Sequence, residues 1–427
     1  MNNHMYGSVL TLAALGGLSF LNATTANAAG LEYTKQSILP FFADGNYAEL
    51  SYAYADPKIE GTDVAGGINS GQNNKIKDMM DDFDIWGAAV KVAPTENTAL
   101  ALIYDEPFGV DTLYQTGSEF SNSMGTTEAR VDTRSLTVLG GGKLNSNFWL
   151  YGGMEYQQAE GGVQLAQNFE GDPIFYDLNV KDKSNALIPV IGFAYEIPEI
   201  MLRAAVTWRG EGEHSFKANE SLLVNNAILN GVLQTTGPTD YNNIPDTVKN
   251  AIGLPKVGFG NTTLGFKTPQ SVNLDFQTGL SEKYQLLGMV NARWVEWTKF
   301  NISPSAITEV VGEPLAEYKD DAYSVEVALG KQFTPKFSGE VRVGYDSGTS
   351  EPLSLLGPYD TIKSLALGGS YDVNDSMTVS AGAQYMWFEG GTAYSKLPID
   401  KSLSERTLAK FDDGTGYALG VKLGYRF

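Results

Sequence analysis

The chain has two histidines, His4 and His214, and no cysteine. A Ser-His-acid hydrolase needs a histidine held against a nucleophile by a positioned acid. Glu213-His214-Ser215 contains the three residue types, but no nucleophile elbow surrounds them, so no enzyme activity is expected. Asp78, Asp81, Asp82 and Asp84 cluster ahead of an apolar segment. Such carboxylates can hold Ca²⁺ through oxygen, but the cluster reads more simply as a solvated acidic loop end, and no metal or cofactor is expected. The remaining chemistry is cationic. Arg203, Arg293 and Arg342 lie in alternating segments, and a guanidinium fork suits carboxylates. By parity Arg293 and Arg342 share the polar faces that also carry Asp275, Glu326 and Glu340.

The elements that carry these residues have period two. Leu419, Val421, Leu423, Tyr425 and Phe427 alternate with Gly420, Lys422, Gly424 and Arg426 up to the last residue. Tyr323, Val325, Val327 and Leu329 alternate with Ser324, Glu326, Ala328 and Gly330. Successive side chains of a strand point to opposite faces. Each segment therefore has one apolar face and one polar face. We count fourteen of them, near 45–55, 83–93, 98–108, 131–144, 147–160, 185–196, 199–210, 269–281, 283–300, 320–333, 336–346, 361–373, 376–388 and 414–427.

Most exceed the about 5–6 residues of a soluble strand and match the about 9–11 that a tilted membrane strand needs. Their number is even, as bacterial barrels require. The connections alternate between tight turns and long loops. The turns are Pro94-Thr95-Glu96-Asn97, Asn145-Ser146, Ile197-Pro198, Ser281-Glu282, Thr334-Pro335 and Asn374-Asp375. The loops span 56–82, 109–130, 161–184, 211–268, 301–319, 347–360 and 389–413. All long loops then fall at one end. The expected fold is all-β, a fourteen-stranded antiparallel transmembrane barrel. Its last strand pairs with its first, because an open edge in hydrocarbon leaves N–H and C=O groups unsatisfied. Phe148, Trp149, Tyr284, Phe333, Phe337 and Phe427 at strand ends are expected in an interfacial aromatic girdle.

Composition agrees. A net charge of −20 argues against nucleic-acid binding, and 47 Gly, 22 Tyr and 20 Phe suit a chain of many strands. No stretch is long and apolar enough for a transmembrane helix. The apolar run Val9 to Leu21, followed by Ala26-Asn27-Ala28, reads as a secretory signal peptide over 1–28, cleaved near Ala28. Residues 29–44 precede the first strand, are too short to be a domain and are expected, from their apolar side chains, to plug the lumen, and the barrel occupies 45–427. The fourth long loop holds Glu220 to Leu233, where Leu222, Leu223, Ala227, Ile228 and Val232 recur at helical spacing, with Asn219 as the candidate cap.

On these features the chain resembles the FadL-type outer-membrane transporters of long-chain fatty acids and other hydrophobic compounds. The likeness rests on "YAELSYAYADPKIEGTD" (47–63), "MLRAAVTWRGEGEHSFKAN" (201–219), "TPQSVNLDFQTGLSEKYQLLGMVNARWVEWTKF" (268–300) and "YKDDAYSVEVALGKQF" (318–333). The resemblance implies passive uptake of a hydrophobic substrate, foremost a long-chain fatty acid, across the outer membrane of a Gram-negative-type bacterium. It implies capture in an apolar groove between the third and fourth long loops, for which Phe169, Ile174, Phe175, Leu222, Leu223, Ile228, Leu229 and Leu233 are the material. The alternative is that these residues only pack the two loops together. It implies a hatch, here Ile38, Leu39, Phe41 and Phe42, and lateral release at a kink in the third strand.

Pro107 and Gly109 stand near that kink. Pro107 cannot donate to a ladder and Gly109 permits a bulge, or the strand simply ends there. The hatch is shorter than the family's and lacks its Asn-Pro-Ala motif. The family's carboxylate-binding basic groups do not align, and Gln157 and Pro304 occupy their neighbourhoods. Arg293 and Arg342 are the candidate replacements, unless they neutralise lumenal acids. Expected partners are the hydrophobic substrate, outer-membrane lipid and lipopolysaccharide, and barrel-assembly machinery at the C-terminal strand, with the barrel a monomer. The alternatives are a water-filled diffusion porin that lost the gate, and a non-transporting structural or adhesion barrel.

Overall fold

The computed structural model describes residues 31–63, 74–118, 120–169, 172–251, 253–350, 353–355, 357–394 and 407–427. The expected signal peptide lies outside the described residues. Fourteen strands form the wall. They are β1 (Tyr47–Lys58), β2 (Phe83–Thr95), β3 (Thr98–Asp105, resumed as Gly109–Leu113), β4 (Glu128–Lys143) and β5 (Phe148–Phe169). Next come β6 (Asp172–Val180, resumed as Ser184–Ile197), β7 (Leu202–Arg209, resumed as Gly212–Val224), β8 (Asn261–Thr268, resumed as Ser271–Ser281) and β9 (Leu286–Val295). The last are β10 (Ala322–Thr334), β11 (Phe337–Asp346), β12 (Ile362–Asp372), β13 (Met377–Phe388) and β14 (Gly414–Arg426). Every neighbouring pair is antiparallel. β14 closes the sheet on β1, from Tyr47↔Arg426 to Lys58↔Thr415. Closure leaves neither the first nor the last strand with an open edge in hydrocarbon.

Parity is as expected from the alternation. On β10, Tyr323, Val325, Val327 and Leu329 point outward, while Ser324, Glu326 and Ala328 are buried in the lumen. On β14, Leu419, Val421, Leu423, Tyr425 and Phe427 are outward. Phe148, Tyr284, Phe333, Phe337 and Phe427 are exposed at the short-turn end, where a girdle belongs. Trp149 is not part of it. Its ring packs edge-on against Phe41 and its Nε1 donates to Glu196 at 2.8 Å, so it faces inward.

The long-loop end differs from expectation in three places. The segment 161–184 is not a loop but a continuation of the β5–β6 hairpin, paired from Gly162↔Asn179 to Phe169↔Asp172. Gly161 and Gly162 look like a break but sit within the strand. A Cβ on Gly161 would lie 2.4 Å from the Arg130 carbonyl oxygen of β4, so glycine permits a close ladder there. Likewise β7 and β8 extend outward as a ladder, Gly212↔Thr268 to Asn219↔Asn261. The expected helix from Glu220 is strand as far as Val224, and α1 covers only Ala227–Leu233. Its cap is Asn226, whose side chain accepts from the Leu229 N–H at 2.7 Å, not Asn219. Cross-strand pairing of Leu222 and Leu223 with Tyr176 and Phe175 outweighs the helical spacing. Finally, β9 stops at Val295, and Trp297–Lys299 turns as a 3₁₀ segment with Trp297 buried. A second helix, α2 (Asp246–Ala251), and a third, α3 (Ser305–Val311), complete the outer layer.

Two apolar clusters fill that layer. One joins Leu31 and Phe108 to Tyr176, Leu222, Leu229, Trp297, Phe300 and Ile307. The other joins Ile59, Ile76, Met79, Tyr114, Phe120, Leu353 and Phe411 under a small four-stranded sheet of outer segments. A third cluster lies low in the barrel, where Ile38 and Phe41 of the hatch meet Ala89, Ala99, Ala101, Ile103, Leu139 and Tyr151. Small residues on β2 and β3 face the bulky hatch, which is how a short segment fills a wide lumen.

Candidate transport site

The site begins at the break in β3. Asp105 pairs with Ser135 of β4 and Gly109 pairs with Asp132. Four steps on β3 (105 to 109) oppose three on β4 (135 to 132), so β3 carries one extra residue. That is a β-bulge, and a bulge bends its strand. Pro107 sits at its centre without an N–H to leave unpaired. β3 breaks after Asp105 and resumes at Gly109, so Pro107 lies between two paired stretches of one strand.

On its other side, β3 loses its neighbour. The β2–β3 ladder ends at Ala88↔Tyr104, whereas β2 stays paired with β1 as far as Ala55↔Phe83. Residues Phe83–Gly87 therefore present an edge to a gap in the wall. An unpaired backbone donor there is costly. The Trp86 N–H finds the Glu106 carboxylate at 2.9 Å, and Tyr104 donates to the same carboxylate at 2.7 Å.

The hatch closes this gap from within. Its backbone adds a short rung to the bulge. The N–H groups of Tyr33 and Thr34 donate to the Pro107 carbonyl at 2.8 and 3.3 Å, and the Gly109 N–H donates to the Leu31 carbonyl at 2.8 Å. Glu32 and Phe108 form the antiparallel bridge between them. The Tyr33 ring stacks on Phe83 of β2 at 4.1 Å. A Cβ on Gly109 would lie 2.1 Å from that ring, so the ring needs glycine at this position. Tyr33 spans from one lip of the gap to the other.

Ion pairs hold the hatch in place. Lys35 Nζ lies 2.8 Å from Glu326 of β10, whose other oxygen meets Arg342 of β11 at 2.9 Å. Glu32 pairs with Arg293 of β9, and Arg293 also donates to the Gln36 side-chain oxygen at 3.0 Å. Arg209 of β7 donates to the Gln36 carbonyl at 3.0 Å and pairs with Glu155 of β5 at 3.3 Å. Gln36 has φ +52°, a strained conformation for a non-glycine residue, and five wall strands supply these contacts. Arg293 and Arg342 thus point inward as parity requires, and each has a carboxylate partner.

Above the hatch, Leu31, Phe108, Val131, Phe266, Trp297 and Phe300 enclose an apolar void of about 20 Å³. Gln157 is buried beside it, where its side-chain oxygen receives Thr268 at 2.8 Å and lies 2.9 Å from His214 Nε2. Below the hatch, a cavity of about 770 Å³ opens toward the short turns, with Leu39 and Phe42 in its lining. It reaches Gly87, Tyr104 and Asp105 at the lower lip of the gap. Phe42 is held by Arg203, 4.9 Å from its ring, and by Tyr151.

The external groove residues separate. Leu222 is buried, Leu233 is half-buried against the outer cluster, and Phe175 and Leu223 are half-buried. Ile228 is 75% exposed on α1. The side chain of Phe169 lies outside the described residues. Asp78 accepts from the Ile59 and Met80 N–H groups, and burial raises its pKa from the ordinary value. Asp84 accepts from the Tyr52 hydroxyl at 2.5 Å. Among the described residues no acidic cluster with the spacing of a metal site occurs.

Sequence reasoning found the apolar half of the hatch, Ile38, Leu39, Phe41 and Phe42, and missed its polar half, Glu32 to Gln36. A signal was present. Lumenal Arg293 and Glu326 call for partners of opposite charge, and Glu32 and Lys35 are two of the three charges in the hatch, with Asp44 at its far end.

A closed barrel with outward apolar faces, a lumenal hatch and a gap in its wall defines an outer-membrane transport barrel. The family model described as outer membrane protein transport protein (OMPP1/FadL/TodX) matches residues 21–427, and the chain belongs to that family. Its fold is similar to the crystal structure of a Pseudomonas aeruginosa FadL homologue, with TM-score 0.68, 15% identity and 96% of each chain covered. It is similar also to the Pseudomonas putida toluene transporter TodX, with TM-score 0.63 and 10% identity over 96% of this chain and 97% of that one. The Ralstonia pickettii toluene transporter TbuX gives TM-score 0.58 and 10% identity over the same shares. No curated protein matches the sequence. The protein is thus an outer-membrane barrel of a family that moves hydrophobic compounds, and members of that family are transport channels rather than enzymes.

Proposed function

We propose that this chain takes up a hydrophobic compound at its outer loops and releases it sideways through the β2–β3 gap when the hatch moves. The observation that carries this is the closure of the gap by the N-terminal segment, through Tyr33, rather than by a continuous ladder of the wall. A water-filled porin needs no such closure, and ion pairs of the hatch with β9 and β10 favour a shut lumen. Two substrates compete, the long-chain fatty acid that the resemblance implies and an uncharged compound like the toluene named for TodX and TbuX. The uncharged compound is favoured, because Arg209, Arg293 and Arg342 already have carboxylate partners. A second carboxylate buried there would lack a counter-charge. Capture involves α1, where Ile228 and Val232 are exposed.

The chain has no cysteine of its own, which makes a cross-link test clean. Glu32→Cys with Phe108→Cys places two thiols at an antiparallel bridge, within reach of a disulfide. Oxidation should stop uptake of toluene into proteoliposomes, and reduction should restore it. Undiminished uptake by fully cross-linked protein would refute release through this gap.

A further inference from the structure

At the gap a side chain replaces a rung of the ladder. The β2–β3 register ends at Ala88↔Tyr104, and its continuation sets Trp86 opposite Glu106. No backbone pair forms there. The Glu106 carboxylate accepts from the Trp86 N–H instead, at 2.9 Å, and so ties one lip of the gap to the other. Its second oxygen accepts from the Tyr104 hydroxyl at 2.7 Å and stands 3.9 Å from Arg134 Nε on β4. Arg134 is exposed on the outer face, and its guanidinium is 4.0 Å from Glu160. Neither carboxylate is within hydrogen-bond distance of it. The hatch reaches the same place. Thr34 Oγ1 donates to one Asp105 oxygen at 2.6 Å, and the other accepts from the Glu106 N–H at 3.0 Å.

We infer that Glu106 is a gating residue with two seats: on the Trp86 N–H it ties the gap shut, and on Arg134 it leaves the gap free for a hydrophobic compound to pass. This deepens the uptake reading above and rests on it. A compound that crosses between the lips separates Glu106 from Trp86. A carboxylate left without a partner beside hydrocarbon is expensive. Arg134 offers it a charge-assisted partner. β4 is paired with β3 below the bulge and above it, so Arg134 keeps its place beside Glu106 as β2 and β3 part. The inner closure and the outer tie are joined through two adjacent residues. When the hatch leaves, Thr34 releases Asp105, and Asp105 no longer fixes the backbone of Glu106 to the hatch. A backbone rung would have only one seat, and a rotatable side chain has two.

The test measures toluene uptake into proteoliposomes, corrected for protein-free vesicles, and amide hydrogen exchange at Trp86 in the same variants. Heat-modifiable mobility confirms that each barrel is assembled. Glu106→Ala removes the tie. Exchange at Trp86 should quicken roughly tenfold, the worth of one hydrogen bond, and uptake should rise. Glu106→Gln keeps an acceptor for the Trp86 N–H and loses the charge that draws it to Arg134. Exchange should stay slow and uptake should fall severalfold. Arg134→Gln removes the second seat and should lower uptake likewise, with exchange at Trp86 unchanged. A side chain that only stabilises the wall would not give opposite effects for Ala and Gln at one position. Uptake moving the same way in both Glu106 variants, wild-type uptake in Arg134→Gln, or wild-type exchange in Glu106→Ala would overturn the inference, while uptake through the gap would stand. Absence of uptake by the wild-type protein would overturn the uptake reading and this inference together.

Discussion

Replacing Glu32 by Ala should unlatch the hatch, and the structure sets the size of the effect. Glu32 and Arg293 are 3% and 4% exposed, and their side chains meet directly. Removing one partner of a buried pair strands the other charge, at about 3–5 kcal/mol. The barrel ladders do not involve Glu32, so the strain falls on the seated position of the hatch. Arg293 regains solvent once the hatch leaves. Taking about 3 kcal/mol, the equilibrium between seated and displaced hatch shifts by roughly 10²-fold. The readout is single-channel conductance of purified protein in a planar bilayer, with heat-modifiable mobility as the check on barrel assembly. Wild-type protein should be nearly silent, and the variant should open frequently. Glu32→Ala combined with Arg293→Met removes both charges, and replacing a buried pair by apolar groups is often neutral. That double variant should close again. A single variant as silent as wild type, or a double variant as leaky as the single, would refute the latch.

Further outcomes follow from other parts of the wall. Gly109→Ala places a methyl group where the Tyr33 ring lies, 2.1 Å from its nearest carbon. It should displace the ring and raise toluene uptake, measured in proteoliposomes, without changing the barrel's heat-modifiable mobility. Val343→Arg, outward and 52% exposed in a lipid-facing row, should cost about 2–4 kcal/mol in a folding assay. Thr378→Arg, lumenal beside Asp372, should be tolerated; equal damage would contradict the parity. Ile228→Ser should slow uptake while leaving thermal stability within about 0.5 kcal/mol, as an exposed position allows. Leu222→Ser, at 3% exposure in the outer cluster, should lower stability by roughly 2–5 kcal/mol. Uptake unaffected by Ile228→Ser would remove α1 from capture.

Much of the barrel is legible because hydrocarbon imposes a strict rule on a strand. Every second residue must be apolar over a run long enough to cross, and the ladder must close. Val325, Val343 and Val421 need no tertiary context to be placed outward, because each is flanked two residues away on both sides by another apolar or aromatic side chain. The long-loop end was less legible. Beyond the membrane, period two no longer competes with lipid, and Leu222 and Leu223 satisfy a helical spacing with Ile228 as well as a strand pairing. Partner residues on β6 decided between them: Tyr176 and Phe175 offer Leu222 and Leu223 a ladder, and the helix starts only after Asn226.

The number of strands, their facing, the closure of the last on the first, and the apolar character of the hatch at Ile38 and Phe41 were all legible in the chain. These follow from local pattern and from the cost of unsatisfied backbone in lipid. Tertiary packing makes β3 bulge at Pro107, opens a gap beside β2 and puts Tyr33 in it. It also decided that Glu32 and Lys35 meet Arg293 and Glu326, across sequence separations of 261 and 291 residues. A lumenal charge announces its face through parity, but parity is silent on height and on partner. Those depend on register between strands far apart in the chain, which is a property of the closed barrel as a whole.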